Sequence, residues 1–193
     1  MTNSETGLRE EILKTAMQMF IQQGYHGLAM RQISEAVGVS KAALYYYFKD
    51  KEELFLAILN NYLEEMENAI DAINAEAKSS AEQIRRFVTM VLRQPSEQRA
   101  IIRLASQEMA QLSAASRKEF NSLYHEKFIG KLNAILQRGV ERGEFQVVNI
   151  EVATWALLGI MYPYFYPAHS GNQPIKPETI GEIIGIYLNG ISK

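Results

Sequence analysis

The stretch GVSKAALYYYFKDKEELF, residues 38–55, decides how the amino-terminal part of the chain folds. Three tyrosines, Tyr45 to Tyr47, follow one another on a segment that is predicted to be helical. Successive helical residues are turned by about 100°, so three adjacent rings cover more than half of the helix circumference. The three rings cannot all face one core, and at least one of them must point towards solvent.

The same region predicts two short helices joined by a tight turn. MRQISEAVG, residues 30–38, is typical of a helix that ends at its glycine, and Ser40 is placed to cap the next helix, residues 41–48. Leu44 and Phe48 are four residues apart and predict the inward face of that helix. Two short helices around a glycine-containing turn are the layout of a helix-turn-helix, whose second helix enters the major groove of DNA.

This layout gives the three tyrosines a function. With the leucine and the phenylalanine facing inward, Tyr45 and Tyr46 lie on the exposed side of the helix and Tyr47 lies on its flank. Tyrosine hydroxyls donate hydrogen bonds to phosphate oxygens, and such contacts fix how a protein docks on the duplex. The alternative interpretation is that the rings pack on neighbouring helices and only their hydroxyls reach water.

Composition limits the classes of function that remain. The chain has 193 residues, of which 47% are hydrophobic, enough for one large domain or for a small and a medium one. A net charge of −2 makes any nucleic-acid surface a local patch. The absence of cysteine excludes disulfides, thiolate metal sites and a thiol nucleophile, and it fits a reducing cytoplasm. The amino terminus has no apolar segment typical of a secretory signal, so we expect a cytoplasmic protein.

The remainder of the chain is predicted to be helical, which makes the fold class all-α. Apolar residues at three- and four-residue steps predict the following helices: 6–23, 51 onward, 80–94, 96–113, 116–142, 149–161 and 177–191. A loop is expected at 167–178. The uncharged stretch 152–168 is interrupted by two prolines, which favours a core or interface helix over a membrane span. We expect a helix-turn-helix head over residues 1–50 and a larger helical domain over residues 51–193.

The stretch 24–55 resembles the DNA-binding head of the tetracycline-repressor (TetR) family of bacterial regulators. The elements that match together are the Gly-Tyr pair after the first helix, Ile33 with Ala36, Gly38-Val39-Ser40, Leu44-Tyr45, Phe48 and Lys51. With the first helix included, the resemblance covers about a quarter of the chain. The remaining three quarters carry only the expected run of helices.

The resemblance implies a set of DNA contacts. Arg31 matches a position that reads a base or holds the backbone, and an arginine can form a bidentate pair with guanine. Lys41, Ala43 and Tyr47 match positions that face bases. Tyr45, Tyr46 and Lys51 match positions that contact phosphates. Ser40, at the start of the helix, is the remaining candidate DNA contact. The chain departs from the family at Leu28 and Ala29, where Thr or Ser is usual, so we expect the cap of the second helix to be missing.

The family resemblance also implies a small-molecule effector and a homodimer that binds a palindromic operator. The candidate effector residues are Phe87, Met90, Val91, Arg103, Leu104, Gln107, Tyr124, Phe128 and Tyr162. The candidate dimer residues are Leu157, Leu158, Met161, Ile180, Gly181, Ile184, Gly185, Tyr187 and Leu188. Glycines four residues apart allow close helix approach, and Met and aromatic side chains suit an adaptable pocket. The alternative is ordinary burial within the chain for the apolar and aromatic residues of both sets, and a solvated helix face for Arg103 and Gln107.

Two other classes of protein are alternatives. An enzyme is disfavoured because the sequence has no phosphate-binding glycine loop and no metalloprotease motif, and His26, His125 and His169 lack the spacing of metal ligands. We therefore predict no catalytic residues, no metal and no cofactor. A helical binding protein with a vestigial DNA head is the other alternative. It is suggested by the missing cap and by the balance of six basic and six acidic residues over residues 1–52.

Overall fold

The computed structural model describes residues 3–147, 149–166 and 174–192. Its α-helices, in chain order, are α1 Asn3–Gly27, α2 Met30–Val37, α3 Lys41–Tyr47, α4 Lys51–Glu76, α5 Ser80–Arg93, α6 Ser96–Glu108, α7 Ala114–Tyr124, α8 Gly130–Glu141, α9 Ile150–Met161 and α10 Pro177–Ile191. Short 3-10 helices cover Met109–Gln111 and Tyr162–Phe165. The predicted all-α class is confirmed. The first part of the expected loop, 167–173 with its histidine, lies outside the described residues.

Three helices differ from their predicted course. The helix predicted over 96–113 ends as α6 at Glu108, and only the short 3-10 helix Met109–Gln111 follows. Helix α1 was expected to end at Gly24, and the backbone does change there, with φ 72° and ψ 173°, but helical structure resumes as far as Gly27. The long predicted helix 116–142 is α7 and α8 joined by a π-helical segment, His125–Ile129. A π-helical turn inserts one extra residue per turn, and such turns are frequent at functional sites.

The chain divides into two compact units, 1–62 with 101–121, and 63–100 with 122–193. The first unit contains α1 to α3, the start of α4 and the segment 101–121. Its core is aromatic: the Phe20 ring stacks on Tyr25 at 5.9 Å, and Phe55 meets both rings edge-on at 5.1 and 5.3 Å. Ile12 and Ala16, two turns and one turn before Phe20, are fully buried, as the predicted stripe on α1 requires.

The second unit packs α5 against α8 and α10, and α9 against α8 and α10. The apolar side chains of this unit that are 0% exposed are Ile70, Ile84, Val88, Leu92, Leu132, Ile135, Leu136 and Leu157. Glu144, after α8, accepts hydrogen bonds from the first amides of α5, at 3.2 Å from Ser80 and 3.0 Å from Ala81. A carboxylate here satisfies free N–H groups and complements the helix dipole. Across the described residues, no helix combines the length and apolar character that a bilayer span needs.

Candidate nucleic-acid interface

The turn between α2 and α3 is built by three adjacent residues. Gly38 takes a left-handed conformation, φ 79° and ψ 26°, and its N–H bonds back to the last carbonyls of α2. The Val39 amide follows by donating to the Ser34 carbonyl at 3.0 Å. Ser40 then caps α3, because its hydroxyl oxygen accepts from the Ala43 amide at 3.0 Å. The predicted helix-turn-helix is therefore formed, and the cap occupies the Ser40 side chain.

Buried side chains hold α3 from behind. Leu44 is 0% exposed and Phe48, which ends the helix, is 2% exposed, and both lie in the core that contains Ile33. The predicted inward face of α3 is thus confirmed. Because these two positions are four residues apart, the opposite side of α3 faces solvent. The helix is a rigid support for whatever its outer side chains contact.

The three tyrosines divide as the periodicity predicts. Tyr46 is 78% exposed and Tyr45 is 42% exposed, whereas Tyr47 is half-buried on the flank of the helix. The Tyr46 and Tyr47 rings meet edge-on with centroids 5.3 Å apart. Lys41 is exposed and its Nζ lies 5.6 Å from the centre of the Tyr45 ring. One face of α3 therefore presents two phenol hydroxyls and one ammonium group to solvent.

Arg31 lies on α2, and its side chain is 77% exposed. It forms an ion pair with Glu35 one turn further along, with Nε 3.3 Å from the carboxylate oxygen. An exposed pair of this kind stabilises a helix by only about 0.3–0.5 kcal/mol, so it is easily exchanged for another anion. Ala43, the other predicted base-facing residue, is half-buried.

Lys51 has partners that the sequence did not reveal. Its Nζ donates to the carbonyl oxygens of Tyr25 at 2.6 Å and Leu28 at 3.0 Å, and it lies 4.3 Å from the centre of the Tyr25 ring. Burial lowers the pKa of the Lys51 ammonium. The lysine thus fixes the connection between α1 and α2 to the start of α4. A phosphate contact by Lys51 stays a prediction and would add to this role.

The start of α2 compensates in part for its missing cap. Ala29 has no side chain that can accept a hydrogen bond, as expected. Gln32 instead turns back, and its Oε1 accepts from the Ala29 amide at 2.8 Å. This is one half of a capping box, and it satisfies one of the free amides of the helix terminus.

The segment 101–121 is hydrogen-bonded to the head within the first unit. His26 Nε2 lies 2.6 Å from Gln111 Oε1. The Glu52 carboxylate, at the start of α4, accepts from the Ser116 hydroxyl at 2.5 Å and from the Ser113 amide at 3.3 Å. The Ser116 hydroxyl, followed by Ser113, holds the pKa of Glu52 below its usual value. Sequence patterns gave no sign of these contacts because the partners are more than 60 residues apart.

Three of the candidate effector residues meet in the second unit. The Phe128 ring, in the π-helical segment, lies 5.9 Å from Phe87 and 5.3 Å from Tyr124. Burial raises the pKa of Tyr124 to about 12. Aromatic groups beside an irregular helical turn form an adaptable apolar surface.

The other candidate effector residues are distributed over both units. In the second unit, Val91 is buried, Met90 is half-buried and Tyr162 is exposed, with its hydroxyl 2.7 Å from that of Tyr166. In the first unit, α6 carries the remaining three: Leu104 is buried, Arg103 is half-buried and Gln107 is exposed.

Most of the candidate dimer residues are covered by their own chain. Those that are buried are Leu157, Met161, Ile180, Ile184, Tyr187 and Leu188, whereas Leu158 and Gly185 are half-buried and Gly181 is exposed. The Tyr187 hydroxyl donates to the Ala153 carbonyl at 3.0 Å, which joins α10 to α9. The large apolar side chains that remain exposed on these helices and just after α9 are Val152, Trp155, Tyr162 and Ile186.

Comparison with known proteins agrees with this geometry. Residues 12–58 match the family described as bacterial regulatory proteins, tetR family, and residues 77–163 match the tetracyclin repressor-like C-terminal domain. The HTH-type transcriptional regulator YfiR of Bacillus subtilis, itself uncharacterized, is 31% identical over 146 residues, which are 72% of this chain and 68% of YfiR.

Solved structures extend the likeness over nearly the whole chain. The TetR family transcriptional regulator PfmR from Thermus thermophilus is 29% identical, with a TM-score of 0.78 over 94% of this chain and 99% of that one. AibR, solved in complex with isovaleryl coenzyme A and operator DNA, has the same fold, with 23% identity and a TM-score of 0.74 over 93% and 97% of the two chains.

The fold and the exposed face of α3 define a helix-turn-helix transcription regulator. The chain belongs to the TetR family. The prediction that it is a regulator and not an enzyme is confirmed by this membership. Within the described part of the chain, no group of three or more His, Asp or Glu side chains is arranged to hold a metal ion.

Proposed function

We propose that the protein is a cytoplasmic homodimeric repressor that binds a palindromic operator and is released by a small apolar or amphipathic ligand. The observation that carries the DNA-binding part is the solvent-exposed Tyr46 on a helix braced by Leu44 and Phe48. An exposed phenol on a rigid helix can donate to a phosphate oxygen without rearrangement. Lys41 and Arg31 supply the nearby positive charge.

The balance of charges in the head determines how it would bind. Six basic and six acidic residues over residues 1–52 give little long-range attraction to DNA. Affinity then comes from a few directed contacts on each head and from having two heads, and the salt dependence per head is modest. Paired heads also require half-sites about one DNA turn apart.

Selection of bound sequences from a random DNA pool tests this function. We expect a palindrome, and we expect Tyr46→Phe to weaken binding to it by roughly 10–30-fold, because each dimer loses two hydroxyl–phosphate hydrogen bonds of about 1 kcal/mol. The matched control is Tyr164→Phe, outside the head, with unchanged affinity in the same gel-shift assay. The proposed interface would be refuted if the pool yielded no common sequence. It would also be refuted if Tyr46→Phe bound the selected DNA as tightly as the wild-type protein does.

The homodimer is supported by the exposed apolar side chains on α9 and α10. Trp155 is 45% exposed, Val152 is 64% exposed and Ile186 is 67% exposed. Large apolar groups that stay in solvent on neighbouring helices are typical of protein–protein contacts. A two-fold contact through this face gives the symmetry that a palindrome requires.

A charge on this face tests the dimer. We expect Trp155→Lys to sediment as a monomer at micromolar concentrations at which the wild-type protein is a dimer, because the charge is desolvated without a partner. Gln137→Lys, on an exposed position of α8, is the control and is expected to remain dimeric. A Trp155→Lys protein that still sediments as a dimer would place the contact elsewhere.

The effector part of the proposal is supported by the aromatic group Phe87, Tyr124 and Phe128. The neighbour AibR was solved with both an acyl coenzyme A and operator DNA. In this chain, Gln111 and Ser113 hold the segment 101–121 to the head, so a displacement of that segment would reach α4. A ligand changes DNA affinity only if it binds one head arrangement more tightly than another.

A further inference from the structure

Arg99 is a buried cation that the DNA-binding interface does not use. It lies in the first turn of α6, it is 1% exposed, and it is the largest of the fully buried side chains. Arginine is almost never fully buried unless it is paired, because an unpaired charge loses its hydration. The partners of this guanidinium therefore decide what it does.

One nitrogen of the guanidinium has a structural role. Nη1 donates to the carbonyl oxygens of Leu92 at 3.1 Å and Gln94 at 2.7 Å, at the end of α5. These bonds satisfy free carbonyls and complement the negative end of the helix dipole. They explain why a basic residue is placed here, but they use only one edge of the side chain.

The opposite edge of the guanidinium consists of Nε and Nη2. Neither nitrogen makes a hydrogen bond within the described residues. Their two N–H groups point in the same direction on the planar side chain, so together they form the two-pronged edge that binds a carboxylate through both of its oxygens. Burial lowers the pKa of Arg99, and no acidic side chain among the described residues opposes the change, as expected for a cation without an anionic partner.

We propose that the Nε–Nη2 edge of Arg99 binds the carboxylate of an organic acid with an apolar body. The site rests on the proposed function, since such an acid would be the effector. One positive charge and one two-donor edge match one carboxylate, whereas a phosphate dianion would keep an uncompensated charge. The last turns of α5, which end at the carbonyls bound by Nη1, are apolar and lie in the core, because Val88, Val91 and Leu92 are all at most 2% exposed. An acid that reaches the guanidinium therefore enters an apolar interior, which fits a hydrocarbon chain better than a polar ligand.

Straight-chain acids and their methyl esters test the site in the wild-type protein. Hexanoate, decanoate and tetradecanoate are titrated by calorimetry, each beside its ester, which has the same chain without the charge. We expect at least one acid to bind about tenfold or more tightly than its ester, the effect of one charge-assisted bidentate pair. Binding of none of the acids, or equal binding of acid and ester, would overturn the proposal, and neither result depends on the folding of a variant.

Arg99→Lys separates the anion site from the structural role. A lysine can still donate to the carbonyls at the end of α5, but it has no two-donor edge. We expect Arg99→Lys to weaken binding of the acid by about tenfold or more. Arg85→Lys, at an exposed position of α5, is the matched control with unchanged binding. Wild-type affinity of Arg99→Lys for the acid would remove Arg99 from the site.

Gel shifts with the selected operator distinguish failure of this site from failure of the proposed function. If the acid binds through Arg99 but leaves operator affinity unchanged, the site stands and the effector role is wrong. If acid and ester release the operator equally, and Arg99→Lys responds like the wild-type protein, the effector role stands and the carboxylate site is wrong.

Discussion

Replacing Leu44 with alanine is expected to lower the free energy of unfolding by about 2–5 kcal/mol, the range for truncating a fully buried leucine. Leu44 is 0% exposed and is the main support behind α3. Its loss leaves a cavity at the point where the helix rests on the head, so the outward tyrosines lose their fixed position. We expect urea denaturation to show the destabilisation and gel shifts to show weakened operator binding.

A matched truncation makes the Leu44 result interpretable. Leu8 is half-buried on α1, so Leu8→Ala removes the same atoms from a site that is partly solvated. Its effect on the free energy of unfolding should be well below that of Leu44→Ala. Equal effects of the two variants would mean that Leu44 does not brace α3 as its burial indicates.

Gly139→Ala is expected to destabilise the second unit by about 1–3 kcal/mol through overpacking. A Cβ on Gly139 would lie 2.2 and 2.4 Å from two ring carbons of Phe145 and 3.0 Å from the Cβ of Ser80. Phe145 is only 3% exposed, so its ring has little room to move. Within a helix, alanine is otherwise preferred over glycine by about 1 kcal/mol, and the steric conflict must exceed this gain.

Two further variants test the cause of the Gly139 effect. Gly7→Ala, on α1, adds a Cβ that meets nothing within 4 Å among the described residues beyond its own helix backbone and chain neighbours, and it should raise the free energy of unfolding by up to about 1 kcal/mol. In a double-mutant cycle, Phe145→Leu should make Gly139→Ala less destabilising, since the smaller side chain vacates the space. Additive effects of the two changes, measured by thermal unfolding, would contradict the steric explanation.

Local signals were sufficient to predict the head. The turn glycine, Gly38, the capping Ser40 and the inward Leu44 lie within seven consecutive residues, and each has a short-range physical cause. Helix positions in the second unit were predicted nearly as well. For example, α9 begins after Asn149 as predicted, because the Asn149 side chain accepts a hydrogen bond from the Val152 amide at 3.1 Å. The π-helical segment was not predicted, because one extra residue in a turn leaves little trace in apolar periodicity.

Residue roles that depend on distant partners could not be predicted. The family resemblance implies a phosphate contact for Lys51, but only the structure shows that its ammonium group bonds to two carbonyls more than 20 residues earlier. Arg99 has one sequence signal, a positive charge in the first turn of a helix, where it opposes the dipole. That signal gives neither its burial nor the free edge of its guanidinium.

The sequence by itself determined the helices, the turn that joins α2 to α3, and the outward position of Tyr46, because caps, glycine conformations and periodicity act within a few residues. Only the tertiary structure decided which apolar faces are covered by their own chain. Leu157 and Trp155 belong to the same apolar helix, yet one is fully buried and the other is 45% exposed. Periodicity shows that a face is apolar, but the partner that buries it is set by packing between residues far apart in the chain.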